Sequence, residues 1–88
     1  MKIKGLDFYK TCLACPEEYE VMYDDQPAGY IRLRYGRLRA DYPKCMEETI
    51  YTANIGNEWN GSFDSDEQRQ YYLNIIADKI WEKIHKEV

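Results

Sequence analysis

The chain has 88 residues, enough for one domain (1–88) and too short for two. Its 44% hydrophobic content allows a small core, its 15% aromatic content argues against disorder, and no apolar run approaches the ~20 residues of a membrane-spanning helix. Twelve basic and sixteen acidic side chains leave a net charge of −4, so general attraction to polyanions is weak. Met1-Lys2-Ile3-Lys4-Gly5 starts basic without the apolar stretch of a signal peptide, and the expectation is a soluble, cytoplasmic protein that does not engage a membrane.

Charge is zoned. Residues 1–16 carry +2, 17–28 carry −5, 29–46 carry +4, 47–67 carry −6 and 68–88 carry +1. These blocks follow the predicted elements, so neighbouring elements are expected to meet with opposite sign.

Leu6-Asp7-Phe8-Tyr9 alternates as a strand does; Ile3 is out of parity with Leu6 and Phe8, and Gly5 between them suits a bulge. Cys12 to Glu18, with Pro16, reads as a connection. Tyr19 to Tyr23 reads as a second strand, with Tyr19, Val21 and Tyr23 on one face. Asp24 to Gly29, containing Pro27, has turn composition.

Tyr30 to Pro43 is the most informative stretch. It alternates on both sides of Tyr35-Gly36, and a two-residue loop there pairs Arg34 with Arg37, Leu33 with Leu38, Arg32 with Arg39, and Ile31 with Ala40. One face is then apolar. The other carries Arg32, Arg34, Arg37 and Arg39, flanked by Tyr30 and Asp41. Thr49 to Ala53 fits a further strand, and Asn54 to Phe63 a loop.

A helix follows. Asp64 or Ser65 can cap it, with Glu67 or Gln68 closing a capping box. Leu73, Ile76, Ala77, Ile80 and Ile84 fall on one stripe. The expected fold is α+β: an antiparallel β-meander of four or five strands with one long C-terminal α-helix packed across one face.

Five segments, Cys15-Pro16-Glu17-Glu18-Tyr19, Gly29-Tyr30-Ile31-Arg32-Leu33-Arg34, Tyr42-Pro43, Gly61-Ser62-Phe63 and Arg69-Gln70-Tyr71-Tyr72-Leu73, together resemble a small family of uncharacterised bacterial and phage-borne proteins. The resemblance implies no activity and assigns no site residue.

Chemistry-bearing constellations are sparse. The single histidine, His85, lies near Asn74, Asp78 and Trp81 on the helix and reads as a helix-end cation. Adjacent acids, Glu17-Glu18 and Glu47-Glu48, point opposite ways on a strand and make no acid/base couple. Cys12-x-x-Cys15 has the spacing of half a zinc site with Cys45 as a third ligand, but a fourth is missing. No catalytic residue, metal or cofactor is therefore expected, and the balance leans against an enzyme.

Two functional readings remain. In the first, the chain is a small non-enzymatic binding or interaction module. Like charges opposite one another in a sheet repel, so the arginine square needs compensation. That comes either from Glu18, Glu20 and Asp41 or from an anionic partner, nucleic acid or an acidic protein surface, with Tyr30 available for stacking. In the second reading the chain is a structural or assembly protein, a homo-oligomer or a subunit of a larger complex. Its cue is Tyr71 and Ile75, away from the helix stripe, which point to a weak homodimer.

Overall fold

The computed structural model describes residues 1–11, 17–56 and 63–86. Six strands form one antiparallel meander in sequence order. They are β1 (Lys2–Ile3), β2 (Leu6–Lys10), β3 (Glu17–Tyr23), β4 (Gln26–Arg34), β5 (Arg37–Tyr42) and β6 (Glu48–Asn54). One helix, α1 (Asp66–Lys86), covers one face of the sheet. The α+β architecture is as expected, and the strand count is slightly higher.

The additional strand comes from the N-terminus. Ile3 and Leu6 are not joined through a bulge; Lys4 and Gly5 make a two-residue turn, and β1 pairs with β2 as Ile3↔Leu6. Both turn residues have positive φ, +51° and +86°. The same device recurs at Asp24-Asp25 (+52°, +61°) and at Tyr35-Gly36 (+54°, +73°). Positive φ at both central positions gives a turn whose twist matches that of the strands it joins. Three of the five strand connections are therefore built alike, although only two of the six turn residues are glycine.

Two further boundaries differ from the sequence reading. Glu17 and Glu18 belong to β3 rather than to a connection, and Gln26 to Gly29 belong to β4 rather than to a turn. The β3–β4 register slips between Val21 and Met22, so Gly29 faces Val21 while Pro27 faces Met22. Ala28 is the extra residue of this bulge, where the ladder does not need the missing proline N–H. Gly29 serves the packing: a Cβ there would lie 2.8 Å from Ile80 Cδ1 on the helix.

The core lies between the inner sheet face and the helix stripe. Leu73, Ile76, Ala77 and Ile80 are buried on α1, with Ile84 packed against them. They meet Leu6, Val21, Leu33 and Leu38 of the sheet, all fully buried. Each large aliphatic side chain buried in this way contributes about 1.5–3 kcal/mol. Ser65 caps the helix: its Oγ accepts the Gln68 N–H at 3.1 Å, and Gln68 Oε1 accepts the Asp64 N–H at 2.7 Å. Trp81 closes the far end. Its indole N–H donates to Lys4 O at 2.8 Å, and its ring packs edge-on against Tyr23 at 4.9 Å. No described helix is long and apolar enough to cross a membrane.

Candidate functional site

The sheet face opposite α1 carries the arginines. The β4–β5 register pairs Arg34 with Arg37, Leu33 with Leu38, Arg32 with Arg39 and Ile31 with Ala40, as expected from the two-residue loop. Because side chains alternate across a strand, all four arginines share the outer face while Leu33, Leu38, Ile31 and Ala40 enter the core. Tyr30 stands on the same outer face, paired with Asp41.

The four arginines are not equivalent. Arg39 Nη2 donates to Asp41 Oδ2 at 2.9 Å. Asp41 is wholly buried although it sits on the outer face, because the chain after β5 folds over it. Met46 N–H donates to Oδ2 at 3.0 Å and Thr49 Oγ1 donates to Oδ1 at 2.9 Å. Among the described residues, Asp41 thus draws its partners from its own strand, the following connection and the start of β6, and Arg39 belongs to that structural unit.

Arg32, Arg34 and Arg37 lie differently. Among the described residues, no carboxylate oxygen comes within 4.0 Å of their guanidinium nitrogens. Glu18 stands directly across from Arg32, and Glu20 across from Tyr30. This is the interleaving the sequence suggested, but it is made in register without an ion pair. The Tyr30 hydroxyl has its pKa raised, first by burial and then by the charge of Glu18. Arg34 turns to its neighbour in the loop: its guanidinium carbon lies 4.9 Å from the centroid of the Tyr35 ring and Nη2 is 3.2 Å from the Tyr35 hydroxyl. Tyr35 is 66% exposed and buries nothing in the core. Tyr9, 54% exposed, stands across from Glu20 at the far side of the same face.

Compared with family models, curated proteins and solved structures, the chain matches none.

A second polar cluster escaped sequence reading. Glu17, 2% exposed, accepts Arg69 Nε at 2.7 Å and Nη2 at 3.3 Å, the Phe63 N–H at 3.3 Å, and the Tyr19 hydroxyl. Burial pulls the Glu17 carboxyl upward, but the hydrogen bonds from Arg69, Tyr19 and Phe63 outweigh it, and its pKa is held below the ordinary value. Burial and Glu17 together raise the Tyr19 hydroxyl, and Glu17 raises the Arg69 guanidinium. Glu17 takes its hydrogen bonds from β3, from Phe63 and from the first turn of α1, so the cluster is a clamp between sheet and helix.

The remaining candidates are dispersed. Cys45 is exposed in the β5–β6 connection, while Cys12 and Cys15 fall outside the described residues. Among the described residues no three His, Cys, Asp or Glu side chains gather as a metal site. His85 packs on Trp81, with ring centroids 5.5 Å apart, on the solvent side of the helix.

Proposed function

We propose that the chain is a small binding module that receives an anionic partner, single-stranded nucleic acid, on the outer face of its sheet. The observation that carries the reading is the trio Arg32, Arg34 and Arg37, gathered on one face without an acidic partner among the described residues, beside the exposed ring of Tyr35. Guanidinium groups donate in a planar fork suited to phosphate oxygens, and an exposed tyrosine offers a surface on which a base stacks. Tyr35 adds a second support. It holds positive φ at the loop tip, a conformation costly for a tyrosine, and gives the core nothing in return. The net charge of −4 keeps long-range steering weak, so binding is short-ranged and salt-sensitive.

The test is a fluorescence-anisotropy titration of labelled single-stranded RNA and DNA at low salt against the parent and the Arg34→Gln/Arg37→Gln variant. Binding by the parent that weakens with salt, and more than about tenfold weaker binding by the variant, supports the reading. Failure of the parent to bind either strand at low salt overturns it.

A further inference from the structure

The two edges of the sheet differ. One edge ends in β1, two residues long and bearing Lys2; the other ends in β6, seven residues long. Short or charged edges resist further pairing, and long uncharged ones invite it. After Glu48, the run Thr49-Ile50-Tyr51-Thr52-Ala53-Asn54 holds no charged residue and no proline, and is rich in β-branched and aromatic side chains.

Its backbone polarity follows from the ladder. Ile55 N–H donates to Gly36 O at 2.9 Å, which sets the alternation. Ala53, opposite Leu38, directs its N–H and C=O into β5, whereas Thr52 and Asn54 direct theirs away from the sheet. Beside this edge, on the helix side, lies an aromatic group. Tyr71 is 62% exposed and packs edge-on against Tyr72 at 5.0 Å. Both sit near half-buried Tyr51, whose hydroxyl is pushed up by burial and then by these two neighbours.

We infer that β6 pairs with the β6 of a second copy of this chain, forming a two-fold antiparallel dimer with one continuous sheet. A strand paired with itself about a two-fold axis is isologous, so no second surface is needed. The pairing sets the acidic Glu48 end of each strand alongside the Asn54 end of the other. Glu48 is held by Lys83 of its own helix, and the two Glu48 residues fall at opposite ends of the joined strands, so like charges separate. Both helices fall on one side of the joined sheet, where the tyrosines of the two copies meet. Both arginine faces fall on the other side as one surface. The register shift in the β5–β6 ladder bends the strand near Ile50, which keeps the regular stretch short and the association weak.

Sedimentation equilibrium from about 1 µM to about 1 mM tests this, on the parent and on Thr52→Pro, Tyr71→Glu and Ile75→Glu. Thr52→Pro removes an outward N–H without removing a bond to β5. The expected result is a mass that rises toward the dimer, with association about tenfold weaker or more in Thr52→Pro and Tyr71→Glu and unchanged in Ile75→Glu. Hydrogen exchange of the Thr52 and Asn54 amides is expected to slow as concentration rises. If Thr52→Pro does not fold, Tyr71→Glu and the amide exchange decide. A constant monomer mass, or a dimer lost in Ile75→Glu but kept in Tyr71→Glu, overturns the inference; the second result would place the contact on the outer helix face.

Discussion

Glu17 and Arg69, 52 residues apart, form a buried ion pair that ties the first turn of α1 to the start of β3. Breaking one side leaves a charge without its counterion in a site that water barely reaches, which costs about 3–5 kcal/mol. Arg69→Met is expected to lower stability by about that much in urea unfolding. The double variant Glu17→Leu/Arg69→Met removes both charges and is expected to recover about half of the loss. Recovery stays incomplete because the Tyr19 hydroxyl and the Phe63 N–H then lack their acceptor. A double variant no more stable than Arg69→Met would show that the packing, and not the stranded charge, sets the cost.

The same pair makes stability depend on pH with a definite sign. Glu17 titrates below its ordinary value, 4.5, in the folded chain. The unfolded chain therefore takes up that proton first as pH falls. The stabilisation is fully present above about pH 4.5 and is lost on acidification below it. In Glu17→Gln this contribution is absent at every pH. The stability gap between parent and variant, read from urea midpoints at pH 7, 5, 4 and 3, is expected to hold at the upper two values and narrow at the lower two. A gap that stays constant down to pH 3 would exclude Glu17 as the titrating group.

The arginine square splits into two energetic classes, and substitutions are expected to move stability in opposite directions. Arg39→Gln takes the charged partner from buried Asp41 and leaves, among the described residues, the Met46 N–H and Thr49 hydroxyl, a loss of about 1–3 kcal/mol. Arg37→Gln relieves a like-charge pair with Arg34 directly across the ladder, a gain of a few tenths to about 1 kcal/mol. Chemical denaturation of the two single variants at low salt reads both signs. Equal losses in both would show that Arg37 has an internal partner.

What was legible in the sequence follows from range. The Tyr30–Tyr42 hairpin was readable in full register because alternation and loop length are local, and a two-residue loop leaves one pairing only. The helix stripe was readable for the same reason. The β1–β2 hairpin was not, because Lys4 at positive φ carries no compositional signal; an Asn there would have announced the turn. Pro27 and Gly29 pointed to a turn, yet one sits at a bulge and the other makes room for Ile80, and neither role is visible without the partner element. The Glu17 clamp depends on a residue 52 positions away, and an acid beside another acid on a strand gives no hint of burial. On the arginine face, the sequence supplied the register but not the division of labour, which Asp41 and the connection folded over it decide.

Tyr35 joins a structural cost to the proposed function, and one substitution separates them. Its φ of +54° places a bulky side chain in the left-handed region, which disfavours most L-residues by about 1–2 kcal/mol, while Asn enters it more readily. The ring is 66% exposed and its described contacts are with Arg34, so replacing it removes little packing. Tyr35→Asn is therefore expected to stabilise the fold by about 0.5–1 kcal/mol. If a base stacks on this ring, the same change lowers affinity for a single strand by about tenfold, since stacking on an aromatic side chain contributes about 1–3 kcal/mol per base. Thermal unfolding and the anisotropy titration, run on the same preparations, read the two effects separately. Higher stability with weaker binding places Tyr35 in the interface at the expense of the turn. Higher stability with undiminished binding removes the ring from the interface and leaves phosphate contact to the arginines alone. A less stable variant would mean that the Arg34–Tyr35 contact outweighs the backbone strain, and that the loop is held by its side chains rather than against them.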